Sequence, residues 1–396
     1  MNHVTPTSTS PTMNQPKLLC KQCIYDSTIS GISFDNDGIC NYCRQVEQLT
    51  AEYGTGQQKG ERKWLDIVSE IKKNGKNKKY DCIVGISGGT DSSFMIYLAK
   101  KYDLRPLAVH YDDTWNSAIA TENMRKVLDD TGVDLYTYVI DNKESDDIFR
   151  SFFYASVPEL GTPTDLALAE VLYRVAAKFK LKYILEGHSF IEEGISPIGK
   201  NYFDGKYIKE IHRRYGQVKM SSYPLMSFSN FMRWIIFARI KKIRPYWYLS
   251  YSKENARLFL KKACGWIYYG GHHLENRLVA FSMSTYLPNK FGLDYRNLTL
   301  SALCRQKIMS QEVALEEYAK LPNSDPELLE YFIKRLGISR NEYDEIMLRP
   351  QNFWWNFPTY KKRFEFLRPL FFVLAKANLV PMSFYLKYCF PVKTPQ

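Results

Sequence analysis

Between residues 81 and 185 short apolar runs alternate with helical patterns, and this alternation is the first structural signal in the chain. Asp81–Ile86, Arg105–His110, Leu135–Ile140 and Tyr183–Leu185 are too short for buried helices, so they predict strands. Between them, residues 94–101, 117–131, 143–154 and 165–179 carry apolar positions at helical spacing. Strands that alternate with helices predict an α/β fold, a doubly wound parallel sheet. Ligands of such sheets gather at the carboxyl ends of the strands. The segments that end there are Ser87–Ser93, His110–Asp113 and Glu186–His188.

From about Ser221 the pattern changes. Phe228–Ile240, Lys253–Cys264, Gln311–Ala319, Pro326–Leu336 and Asn341–Leu348 read as helices, and no run reads as a strand. The last segment, Phe353–Tyr388, is dense in aromatics and bases. Upstream, residues 44–79 read as a connecting helix and a basic link, Lys72–Lys79. Met1–Pro16 is rich in Thr, Ser, Pro and Asn and reads as a disordered tail. The expected organisation is therefore a tail (1–16), a cysteine-bearing module (17–50), a linker helix (51–79), a nucleotide domain (80–220) and an α-helical C-terminal domain (221–396).

Composition leaves this picture intact: 396 residues, 45% hydrophobic and 24% charged, describe an ordinary soluble protein. The N-terminus lacks the basic start and apolar core of a signal peptide, so a cytoplasmic protein is expected. No run reaches the ~18 apolar residues of a spanning helix. Charge does add something. Gly205–Lys262 holds fourteen Lys and Arg against two acids, Glu210 and Glu254, which matches the whole net charge of +12. So focused a field suggests an anionic partner: a nucleotide, an acidic sugar, RNA or an anionic membrane face. Phe228–Lys242 and Phe364–Leu386 join apolar residues to bases, a pattern that suits either buried helices or peripheral membrane contact.

The eight cysteines are unequal. Cys20-x-x-Cys23 and Cys40-x-x-Cys43 are separated by 16 residues, the spacing of a tetrahedral zinc site, with an Asp35-Asn36-Asp37-Gly38 turn between them. Four thiolates leave no open position, so such a zinc is structural; an iron–sulfur cluster is the weaker competitor. Residues 85–93, Gly-Ile-Ser-Gly-Gly-Thr-Asp-Ser-Ser, follow a strand and open a helix. Glycine backbone N–H groups, the hydroxyls of Ser87, Ser92 and Ser93 and a helix N-terminus together make a phosphate cradle. Without a following Gly-Lys-Ser/Thr it is not a Walker loop.

This loop resembles the PP-loop of the N-type ATP pyrophosphatases, which cleave ATP between its α- and β-phosphates. Further blocks sharpen the likeness. They are Glu193-Gly194-Ile195-Ser196-Pro197-Ile198-Gly199 with Asn201-Tyr202-Phe203-Asp204-Gly205, and Tyr268-Tyr269-Gly270-Gly271-His272-His273-Leu274-Glu275-Asn276-Arg277. Over residues 18 to 350 the chain resembles the N-acetyl sugar amidotransferases of bacterial surface-polysaccharide biosynthesis. The resemblance implies ATP-dependent amidation of a nucleotide-activated sugar, at an acetamido or a carboxyl group. A separate glutaminase and ammonia-channelling subunits would supply the ammonia. It implies ATP, Mg²⁺ and structural Zn²⁺ as cofactors.

In that frame Ser87, Gly88, Gly89, Thr90, Asp91, Ser92 and Ser93 hold ATP, and Asp91 orients it or helps hold Mg²⁺. Asp112 is placed to fix ribose or adenine. Glu186 or His188 would transfer protons beside the α-phosphate, although a buried, hydrogen-bonded His188 reads equally well. Asn201, Asp204, His272, His273 and Arg277 are the candidate sugar-binding residues; an adjacent histidine pair with no nearby cysteine makes a poor metal site. The competing reading is a tRNA-thiolating enzyme, which Cys82, Cys264, Cys304 and Cys389, each standing alone, disfavour; no nucleic-acid partner is expected. A non-catalytic zinc-binding module would leave the loop unexplained.

Overall fold

The computed structural model describes residues 17–29, 31–197, 202–271, 274–322, 325–377 and 379–392. Strands β1 (Cys82–Gly85), β2 (Pro106–Asp112), β3 (Leu135–Val139), β4 (Tyr183–Leu185) and β5 (Lys241–Ile243) form one parallel sheet in the order β3-β2-β1-β4-β5. The helices are α1 (Asn41–Tyr53), α2 (Gln58–Gly75), α3 (Thr90–Lys101), α4 (Ala118–Thr131), α5 (Asn142–Tyr154), α6 (Thr162–Lys178), α7 (Gly205–Tyr215), α8 (Phe228–Met232) and α9 (Lys253–Cys264). They continue with α10 (Arg277–Phe281), α11 (Arg296–Arg305), α12 (Gln311–Ala319), α13 (Pro326–Leu336), α14 (Arg340–Leu348), α15 (Lys361–Phe366), α16 (Arg368–Lys376) and α17 (Met382–Tyr388). The doubly wound α/β sheet, the N-terminal cysteine knuckle and a helical C-terminal region are thus all present.

Alternation along the strands builds two cores. Ile83, Leu107, Val109 and Ile184 face α5, α6 and α7, whereas Cys82, Val84, Ala108 and Leu185 face α2, α3 and α4. The first core runs on into the C-terminal helices, where Phe281 stacks on Phe332 with centroids 4.0 Å apart. Phe231 meets Phe371 and Phe384 there.

Two expectations change. Residues beyond Ser221 were expected to be wholly helical, yet β5 pairs with β4 as the edge of the sheet. It escapes the apolar pattern because it has three residues, two of them lysines, as edge strands often do. The helix expected at Phe228–Ile240 is instead α8 followed by a π-helical turn, Arg233–Phe237, and ends before Ile240. The region read as one linker helix holds the end of α1 and all of α2, whose Trp64, Val68 and Ile71 are buried against the sheet.

Candidate functional site

The loop between β1 and α3 is shaped by its glycines. Gly88 has φ +81°, and a Cβ there would lie 2.0 Å from the Ala120 carbonyl oxygen at the start of α4. The Gly88 carbonyl accepts a hydrogen bond from Trp266 Nε1 (3.0 Å). Ser92 Oγ accepts from the Ser87 N–H (3.2 Å) and lies 3.3 Å from Ser87 Oγ, so both hydroxyls sit at the turn. Ser93 is fully buried, so its hydroxyl is not on the open side of the cradle. Gly88→Ala should destabilise the chain by about 2 kcal/mol or more and deform the loop, as measured by denaturant unfolding, because the new methyl combines backbone strain with a clash.

The carboxyl ends of the neighbouring strands close on this loop. His110 Nδ1 donates to the Ile86 carbonyl (3.0 Å), with Nε2 taking a hydrogen bond from the Asn116 amide. Glu186-Gly187-His188 crosses the first turn of α3, and a Cβ on Gly187 would meet the Asp91 backbone at 3.0 Å. This close approach gives a physical reason for glycine between two functional-looking residues.

Asp91 is held at both carboxylate oxygens. One oxygen is 2.9 Å from Lys253 Nζ on α9 and the other accepts from Tyr251 Oη. Tyr246 Oη donates to its backbone carbonyl (2.9 Å) and stacks on Tyr251 at 3.8 Å. Burial pushes the Asp91 carboxyl above its usual range, against the pull of Lys253. Lys253 is itself held above the ordinary lysine value, the attraction of Asp91 outweighing its burial. Thr90, Asp91, Lys253, Arg257, Tyr269 and Glu275 line one small pocket. Arg257 Nε is buried in it with no hydrogen-bond partner among the described residues, as suits a group awaiting an anion.

Other expected site residues are placed differently. Glu186 holds Lys242 Nζ at 2.6 Å and Arg244 Nε at 3.1 Å. Burial would raise its pKa, but the two cations outweigh burial and hold it at about 2. Such a carboxylate has no proton to give near neutrality, and its two ion pairs tie the end of β5 to the end of β4. His188 Nδ1 accepts from Trp247 Nε1 (3.1 Å), which leaves the proton of the neutral ring on Nε2, 3.8 Å from Glu193. Burial lowers its pKa and keeps it neutral. The Asp112 carboxylate takes the Thr114 N–H (2.8 Å) at the end of β2.

Asp204 is a buried N-cap. It accepts from the backbone N–H groups of Lys206 and Tyr207 (both 2.8 Å), from Tyr202 Oη and from the Tyr360 N–H. With these four donors its acceptor capacity is used by the protein, which corrects its expected role in sugar binding. Arg277 starts α10, with its guanidinium 4.7 Å from the Tyr331 ring. Asn201, His272 and His273 lie outside the described residues.

Sequence reasoning missed Tyr251, Lys253, Arg257, Tyr269 and Glu275 as neighbours of the loop. The block that ends at Arg277 does reach it. A Cβ on Gly89 would be 3.0 Å from Glu275 Oε1 and 3.1 Å from Tyr269 Oη. The Ser117 N–H donates to the Glu275 carbonyl and the Arg277 N–H to the Trp115 carbonyl (both 2.8 Å). The block's glycines and aromatics were the available signal. Nothing in the sequence around Lys253 separates it from the other bases of its segment.

The second site is the cysteine knuckle. Cys20 Sγ is 3.8 Å from Cys43 Sγ, Cys23 Sγ is 3.8 Å from Cys40 Sγ, and all four sulfurs lie within 4.8 Å of one another. A tetrahedron of thiolates at ~2.3 Å from one ion has edges of about 3.8 Å, so the set fits a single metal ion. A four-iron cluster, with each thiolate on its own iron, would spread the sulfurs further. Asp35 builds the expected turn by accepting from the Asp37 and Ile39 N–H groups. The knuckle is docked from the C-terminal region: Gln311 Nε2 donates to the Cys20 and Cys23 carbonyls, and Arg305 Nη1 lies 3.9 Å from Cys43 Sγ.

Among the described residues no helix is long and apolar enough to cross a membrane. Residues 275–370 match the family described as "LPS biosynthesis protein WbpG-like, C-terminal domain". Over 171 residues the chain is 32% identical to the uncharacterized protein MJ1599 of Methanocaldococcus jannaschii, an alignment of 43% of this chain and 58% of that relative. This chain therefore spans less than two thirds of the relative's length. Among solved structures, the NH3-dependent NAD synthetase of Campylobacter jejuni is 14% identical, with 74% of this chain and 97% of that one covered at a TM-score of 0.31. The U34-tRNA thiolase NcsA of Methanococcus maripaludis, solved with its [4Fe-4S] cluster, is also 14% identical, with 82% and 99% covered at 0.32. At such scores neither likeness bears on what this chain does. The segment 275–370 is thus similar to the C-terminal domain of WbpG-like LPS biosynthesis proteins, in line with the surface-polysaccharide family that the chain's cysteine pairs, loop and C-terminal blocks resemble.

Proposed function

We propose that this chain is an ATP-dependent amidotransferase acting on a nucleotide-activated sugar. It adenylylates the oxygen of an acetamido or carboxyl group and lets ammonia from a separate glutaminase replace it, releasing AMP. The observation that carries the reading is the Ser87–Ser92 turn at the N-terminus of α3, faced by Lys253 and by the unpartnered Arg257 Nε. A donor-rich turn, a helix N-terminus and two cations suit a pyrophosphate leaving group.

An amide oxygen leaves poorly until it carries AMP; the resulting imidate carbon is then open to ammonia. Gly88, Gly89 and Ser87 would hold the phosphates while Asp91 orients Lys253. Mg²⁺ would enter with the ATP phosphates, as it does where few protein ligands are offered. His188, neutral and carrying its proton on Nε2, is the remaining group suited to hydrogen-bond the reacting centre. The thiolate set would hold Zn²⁺ in a structural role.

The placement of the cysteines favours this reading over tRNA thiolation. Cys82 and Cys389 are buried, Cys264 Sγ bonds the Leu260 carbonyl and Cys304 Sγ the Ser310 carbonyl, so none lines the pocket at the loop. A persulfide carrier would have to reach it. The test is AMP formation with UDP- and CMP-sugars against bulk tRNA, with ammonium supplied. We expect sugar-dependent AMP, ammonium replacing glutamine, and glutamine alone failing. AMP formation that depends on tRNA and not on any sugar would refute the proposal.

A further inference from the structure

α15 and α16 form a helical pair that is apolar on both sides. Their inner side is spent on the core: Phe364, Phe371, Leu374 and Ala375 are buried, with Phe364 against Phe371 and Phe384. Their outer side repeats the apolar theme where packing does not require it. Phe366 is 84% exposed and Val373 62%, with Leu370 and Phe372 also exposed. An ordinary surface helix puts polar residues there.

The charges around this ridge are of one sign. Lys362, Arg363, Arg368 and Lys376 are exposed beside it. The single acid of the two helices, Glu365, pairs with Lys361 at 3.6 Å. The Lys361 ammonium is itself buried on the carbonyls of Tyr388 and Phe390. Aromatic and aliphatic side chains ringed by unopposed bases match a surface that is apolar beneath and anionic above. The other basic segment, Phe228–Lys242, is different: Trp234 and Ile235 are buried and Phe231 is packed on Phe371.

We propose that the outer face of α15 and α16, formed by Phe366, Leu370, Phe372 and Val373 with Lys362 and Lys376, docks the chain peripherally on an anionic lipid bilayer. The apolar residues enter the headgroup boundary and the bases meet lipid phosphates. Charge complementarity selects lipid over a second copy of this chain, whose matching face carries the same positive charge.

The full-length protein is sedimented with vesicles of equal parts phosphatidylglycerol and phosphatidylcholine, and with phosphatidylcholine alone. Binding is expected to the anionic vesicles only, weakening as salt rises. Lys362→Glu with Lys376→Glu should lower partitioning about tenfold or more, as should Phe366→Ser with Val373→Ser; all four positions are exposed, so the fold survives. Absence of binding at low salt would overturn the proposal. So would binding untouched by both double variants, equal binding to both vesicle types, or self-association that is lost with Phe366→Ser and Val373→Ser.

Discussion

Replacing Asp91 by alanine should reduce ATP cleavage about a thousandfold, an effect of the size seen when a charged group that organises a transition state is lost. Asp91 holds Lys253 at 2.9 Å beside the first turn of α3, and only 14% of the Lys253 side chain is exposed. Removing that partner leaves a mostly desolvated ammonium to its weaker contacts, Glu193 among them, so the variant should also lose about 2 kcal/mol of stability. Asp91→Asn separates these effects: it keeps the shape and a bond to Tyr251 but removes the charge. If Asp91 and Lys253 act as a unit, Lys253→Met should lose nearly as much activity, and the double variant little more than either single one. AMP release and thermal melts on the four proteins complete the cycle. Wild-type turnover in Asp91→Ala would remove the loop from the mechanism.

That pair also marks the limit of what the sequence could tell. β1 to β4 were legible because most lie inside two cores, which leaves short apolar runs with turns at their ends. The Ser87–Ser92 turn was legible because its chemistry is local: glycines, hydroxyls and a helix start within a few residues. Lys253 was not, because its importance comes from α9 packing on α3, a contact between residues 162 positions apart. Asp204 carried a local signal that was read as function. An Asp-Gly before a helical stretch is an N-cap pattern, and the structure uses it so. Glu186 sat at the right end of the right strand, yet its role depended on recognising β5, whose Lys242 and the following Arg244 neutralise it.

The cysteine knuckle was legible from spacing alone, but its reach was not. Tyr25 Oη donates to the Ile195 carbonyl (3.4 Å), and Arg305, beside Cys43, lies where a Cβ on Gly194 would meet its Nη2 at 2.6 Å. Gly194 follows Glu193, which faces His188 Nε2. The cysteine knuckle therefore braces the segment after β4 that carries His188 and Glu193. We expect one equivalent of zinc by elemental analysis; iron, or no metal, would refute the assignment. Cys43→Ser or strong chelation should unfold the knuckle, since such small modules draw their folding energy from the metal, while the sheet, with cores of its own, stays folded. Hydrogen exchange should then quicken both in residues 17–53 and in residues 189–197, and ATP cleavage should fall with it. Faster exchange confined to the knuckle, with cleavage unchanged, would mean that the metal supports only its own module. The brace would then lie in Arg305 and Gln311, the residues through which the matched C-terminal segment grips the knuckle.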